Sequence, residues 1–133
     1  MHRRPLGTWV ITVVFALLAA QMIIDYTRGY TMFRGRRVNM PVSPVERAGR
    51  AAMLALGCAG AIQLFRRRAS AVPLFLTATL ANVAIVTWEL FWNASSRHIV
   101  WILFFSLLSV TVYAACLAYA LSLRARGWLV RSG

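Results

Sequence analysis

Charged positions cut the chain into long uncharged stretches. Residues 5–24 give 20 positions without a charge, 51–65 give 15, 69–88 give 20 and 99–123 give 25. A helix rises ~1.5 Å per residue, so crossing ~30 Å of hydrocarbon takes ~20 mainly apolar residues. Three of the stretches reach that length unaided. The second gains it from a start signal: Ser43-Pro44-Val45-Glu46 fits a capping box with Pro at the first helical position, where no amide is needed. Its helix then begins at Pro44, with Arg47 and Arg50 in the first two turns, where long side chains reach back toward headgroups. The alternative, a re-entrant or interfacial second helix, would break an otherwise consistent charge pattern. His2-Arg3-Arg4 looks like the start of a signal peptide, but the apolar run continues to Ile24, and Leu18-Ala19-Ala20 lacks the small residue wanted at the −3 position, so the first helix is read as retained. The expectation is an all-α fold, an integral membrane four-helix antiparallel bundle. One domain covers residues 1–133, with spans at about 8–26, 44–65, 71–92 and 99–123.

Polar and small positions inside the spans are periodic. Thr79, Asn82, Val86, Glu89 and Asn93 follow a 3-4-3-4 spacing, and Ser106, Ser109, Tyr113, Cys116 and Ala120 repeat it. That spacing keeps each set on one helix face. Ala51, Ala55 and Ala59 form a small-residue row that lets backbones approach. Gln21 and Asp25 share a face of the first span. Helix packing in the bundle interior is therefore assigned to Ala51, Ala55, Ala59, Asn82, Ser106 and Ser109; the same residues lining a solute path is the competing reading. The connection from Arg66 to Ser70 is a tight turn and Asn93 to Arg97 is nearly as short, which makes consecutive spans antiparallel neighbours. The long connection, Thr27 to Ser43, mixes Arg with Tyr30, Met32 and Phe33.

Composition then narrows the class. Hydrophobic residues make up 60% and charged residues 14%, against roughly 45–50% and about 25% in soluble domains. This excludes a soluble enzyme, a disordered chain and, with Cys58 and Cys116 alone, a disulfide scaffold. The formal charge of +12 comes from 15 Arg and no Lys. Basicity of this kind on so apolar a chain points to a membrane and not to nucleic acid. With both termini cytoplasmic, that side holds 8 Arg and no acid, and the other holds 7 Arg with Asp25, Glu46 and Glu89. The local contrasts are sharper than the totals. Arg66-Arg67-Arg68 precede the third span and no base follows until Arg97, whereas the fourth span is followed by Arg124, Arg126 and Arg131. Short loops near span ends govern orientation, so a multi-pass bacterial inner-membrane protein with N- and C-termini inside is expected. Trp9 and Trp128 fall at one boundary and Trp88, Trp92 and Trp101 at the other, as interfacial belts require.

Candidate chemistry collects at the outer boundary. Glu89 lies 21 residues beyond Arg68, or ~31 Å along a helix, so it sits near the interface, level with Asp25. Arg28, Arg47, Arg50, Arg97 and His98 are available there as partners; Asp25, Arg28, Glu89, Arg97 and His98 form the candidate polar cluster, in which Arg28 or Arg97 would neutralise an inward-facing Glu89. His98 and His2 fall on opposite sides and make no metal set, and the span hydroxyls lack a base in the same layer. No catalytic, cofactor-binding or metal-ligating residue is assigned, and an enzyme is not expected.

Pro44-Val45-Glu46-Arg47, the small-residue helix that follows, and LFRRRASAVPLF from Leu64 to Phe75 resemble small four-helix bacterial inner-membrane proteins, most of them uncharacterised. The resemblance covers the middle third of the chain and implies membrane location. The expected role is a non-catalytic accessory or subunit of a membrane assembly, whose partners are the lipid bilayer and other membrane proteins or further copies of itself. The alternative is a small permease or channel subunit, acting as an oligomer, with the outer polar cluster as its solute or proton site.

Overall fold

The computed structural model describes residues 5–28, 31–33, 36–38, 44–92, 94–95, 97 and 99–130, with the backbone alone for 25–28, 31–33, 36–38 and 44–47. Four helices account for most of them: α1 (Leu6–Arg28), α2 (Pro44–Phe65), α3 (Ala71–Trp92) and α4 (Ile99–Ala125). Each is long and apolar enough to cross a membrane, including α2, whose best window has a mean hydropathy of 1.4. The chain is thus an all-α bundle of multi-pass membrane type. A short antiparallel hairpin, β1 (Thr31–Phe33) paired with β2 (Arg36–Val38), occupies part of the first connection. α2 starts at Pro44 as its start signal requires; Ser43, the expected cap, lies outside the described residues.

Contacts fix the antiparallel order. The Trp9 ring of α1 meets Phe65 of α2 edge-on at 5.1 Å, joining the start of one helix to the end of the next. Gly49 lies against Ile85 and Gly60 against Phe75, which runs α2 and α3 in opposite directions. Phe15 is the hub: 1% exposed, its ring is 5.9 Å from Phe75 of α3 and 5.5 Å from Tyr113 of α4. The buried apolar side chains run from Phe15 and Ala78 toward the end that holds Leu64, Ala71, Leu123 and Leu129. The outer surface is apolar as well, with Phe91 77%, Val100 72% and Leu80 62% exposed. Apolar side chains facing outward on every side are what lipid, not water, accepts.

The small-residue row needs correction. Ala55 is exposed, and Ala51 and Ala59 are half-buried. The close approach is made by Gly57, where a Cβ would lie 2.3 Å from Phe15 Cε1, and by Gly60, where it would lie 3.1 Å from Phe75 Cε1. Two aromatic rings converge on α2 and need a surface without side chains, so α2 turns its glycines inward and its alanine row toward the flank. Asn82 and Ser106 are buried and Ser109 is half-buried, all on inner faces.

Two helix ends close the extremity that holds Leu64 and Leu123. α2 ends with Arg67 at φ 60, its N–H bonding Leu64 O at 3.0 Å and the Arg68 N–H bonding Gln63 O at 2.9 Å. α4 ends with Gly127 at φ 70, its N–H bonding Arg124 O at 3.0 Å and the Trp128 N–H bonding Leu123 O at 3.0 Å. Both are Schellman ends, a motif that satisfies the last carbonyls of a helix. Beyond Gly127 the tail folds back. Leu129 is buried, the Val130 N–H donates to Arg67 O at 2.7 Å, and the Ala69 N–H donates to Val130 O at 3.0 Å. This parallel bridge ties the tail to the α2–α3 turn.

Candidate functional site

Glu89 sits on the inner face of α3, two turns beyond Asn82, and is 8% exposed. Its charge is met by Arg50 from α2. Nε donates to Oε1 at 3.0 Å, and Nη2 donates to the same oxygen. The pair is lopsided: the Glu89 side chain is 10% exposed and that of Arg50 is 51% exposed. Next to Arg50, Gly49 brings α2 close to Ile85, one turn from Glu89; a Cβ there would be 3.3 Å from Ile85 Cδ1. An inward carboxylate needing a cation was the expectation, with Arg28 or Arg97 supplying it. The structure puts Arg50 there, and Arg97 is exposed in the turn between α3 and α4. The last turn of α1 brings the backbone of Asp25 and Arg28 to this end of the bundle, but their side chains, and His98 entirely, lie outside the described residues.

Below Glu89, Asn82 bridges to α4. Its Nδ2 donates to Ser109 Oγ at 2.9 Å, and Ser109 Oγ donates back to Oδ1 at 3.1 Å. A two-point bond of this kind sets the axial register of α3 on α4 and leaves little of either group for a solute. Ser106 is buried one turn nearer the Glu89 end. Thr79 closes its hydroxyl onto Phe75 O at 2.7 Å, and Thr12, Thr77, Thr87 and Thr111 close onto their own helices in the same way at 2.8 Å. These hydroxyls are thereby hidden from lipid.

Other features lie nearer the arginine-rich end and the flank. Among the described residues, the buried side-chain polar atoms without a hydrogen bond are Thr8 Oγ1 and Gln63 Oε1, in the first turn of α1 and the last turn of α2. Cys58 and Cys116 are free thiols; Cys58 Sγ lies 3.8 Å from Phe15 O, a weak contact. An apolar notch of about 240 Å³ opens sideways between α1 and α2, lined by Ala19, Met22, Ile23, Ala51, Leu54, Ala55 and Cys58. Among the described residues, no three His, Cys, Asp or Glu lie together as a metal set.

No family model, curated protein or solved structure matches the chain. Sequence reasoning picked out Glu89, Asn82 and Ser109 because polar residues in an apolar helix declare its inner face. Arg50 is visible as an available cation in the second turn of α2, but its pairing with Glu89 rests on how α2 packs on α3, which only two helices together reveal.

Proposed function

We propose that the chain is a non-catalytic accessory subunit of a membrane assembly, set in a bacterial inner membrane with both termini cytoplasmic. The observation that carries this reading is the notch between α1 and α2. Its α2 wall presents Ala51 and Ala55, small residues of the kind that let another helix approach closely in lipid. α1 is also the least enclosed helix, with 11% of its apolar window buried against 28% for α3. Most of its surface is therefore left for lipid or for a partner helix. The polar interior, by contrast, is engaged in internal bonds: Arg50 with Glu89, and Asn82 with Ser109.

A photocrosslinking side chain placed at Ala55 in native membranes tests the reading, with one at Leu80 on the outer face of α3 as the reference. A discrete protein adduct from Ala55 and none from Leu80 is expected. Adducts of equal yield from both positions, or none from Ala55, overturn it.

A second reading, a small permease or channel subunit that works as an oligomer, draws on Glu89 itself, a carboxylate inside an apolar bundle. It requires that Glu89→Gln abolish solute or proton flux in vesicles while the helical signal stays intact. Unchanged flux in that variant rejects it.

A further inference from the structure

We infer that the end of the bundle formed by the α2–α3 turn and the folded-back tail is a built binding platform for the headgroup of an anionic glycerophospholipid. This goes beyond the accessory role and does not depend on it. Three observations meet there. Arg66, Arg68, Arg124 and Arg126 are all exposed at this end. The three acidic side chains of the chain, Asp25, Glu46 and Glu89, belong to the opposite ends of α1, α2 and α3, so no carboxylate side chain offsets these arginines. And the platform is held by covalently distant backbone: the bonds Val130 N–H to Arg67 O at 2.7 Å and Ala69 N–H to Val130 O at 3.0 Å strap the tail beneath the turn.

Side chains reinforce the strap. The Arg67 guanidinium lies 4.7 Å over the Trp128 ring, a cation–π contact that fixes both at the boundary where Trp prefers to lie. Leu129, buried at 8% exposure, anchors the tail in the apolar core. The two Schellman ends place Arg66 and Arg68 just beyond α2 and Arg124 and Arg126 at the end of α4, so both pairs project from ordered backbone and not from a loose tail. Guanidinium forks bind phosphate oxygens in pairs, and holding them in place beforehand lowers the ordering cost of binding. The chemistry recognised is a phosphodiester at the level of the interface with an acyl chain below it. An apolar flank next to a basic edge fits a lipid better than a soluble phosphate.

Binding of dioleoyl phosphatidylglycerol and of dioleoyl phosphatidylcholine to the full chain in detergent, read by native mass spectrometry, tests the platform. Phosphatidylglycerol should bind about tenfold more tightly or better, and each of Arg66→Gln, Arg68→Gln, Arg124→Gln and Arg126→Gln should weaken it about fivefold. Arg36→Gln, in the hairpin at the other end, should leave it unchanged. Val130→Pro keeps every arginine but removes the N–H that holds the strap, and it should erase most of the preference. If that variant loses helical signal, Trp128→Leu, which removes the face under Arg67, makes the same comparison. Equal binding of the two lipids, displacement of phosphatidylglycerol by millimolar inorganic phosphate, an Arg36→Gln effect as large as the others, or a full preference in the folded strap variant each overturns the inference.

Discussion

At the scale of single residues, the Arg50–Glu89 pair is asymmetric in a way that predicts an asymmetric mutational response. Removing one partner of a buried pair withdraws compensation from the other charge, and the cost follows how well the survivor can reach water. Arg50, with half its side chain exposed, can rehydrate; Glu89, 10% exposed, cannot. Arg50→Gln should therefore destabilise the protein in detergent by about 2–3 kcal/mol and Glu89→Gln by about 1 kcal/mol, with the double variant close to the milder single one. Thermal or denaturant unfolding of the three variants decides this; equal costs for the two single changes would refute the asymmetry. Thr8 offers the opposite sign. Its Oγ1 is buried without a hydrogen bond and the residue is fully enclosed. Replacing the hydroxyl by a methyl of the same shape removes an unmet polar group, so Thr8→Val should raise stability by about 1 kcal/mol.

At the scale of helices, the elements were legible because charge marks most of their boundaries and a capping signal marks the start of α2. α2 and α3 run over the expected residues, and α1 and α4 overshoot the expected ends by about half a turn at most, within ordinary fraying. Rotational settings were legible only where polarity marks a face, as for Asn82 and Glu89 on α3 and Ser109 on α4. α2 carries two rows of small residues at helical spacing, Ala51-Ala55-Ala59 and Gly57-Gly60, and nothing within α2 ranks them. The deciding partner, Phe15, is on another helix. The hairpin and the tail bridge escaped notice for a related reason: each consists of very few backbone pairs, too short to leave a periodic signature. The glycine row makes its own prediction. Gly57→Ala places a Cβ 2.3 Å from Phe15 Cε1, an overlap that forces α1 and α2 apart and should cost about 1–3 kcal/mol. Phe15→Leu removes the clashing ring edge, so the double variant should cost at least ~0.5 kcal/mol less than the sum of the singles. Strict additivity in the unfolding measurements would mean that Phe15 is not what the glycine accommodates.

At the scale of the whole molecule, the two ends of the bundle differ in packing and in charge, and the difference bears on orientation. One end is closed: Leu64, Ala71, Ala120 and Leu123 are buried within it, and the tail is bridged across it. The other carries the three acids, the hairpin and the half-exposed Arg50. By simple arginine count the two sides are nearly equal, 8 against 7, and the count alone settles nothing. The fold makes the arginines unequal. Arg50 is drawn against Glu89, so its charge is partly matched before any headgroup is met, whereas Arg66, Arg68, Arg124 and Arg126 are exposed on short ordered segments at the ends of spans. Short, uncompensated basic segments close to span ends are those that resist translocation. The closed end should therefore face the cytoplasm. A reporter fused after Gly133 should be active only in the form that works in the cytoplasm, and one inserted at Gly35 only in the form that works outside. The reverse pattern at both sites would invert the molecule in the membrane and leave the four spans as they are. Activity of the same form at both sites would instead mean that one of α2, α3 and α4 lies in the membrane without crossing it.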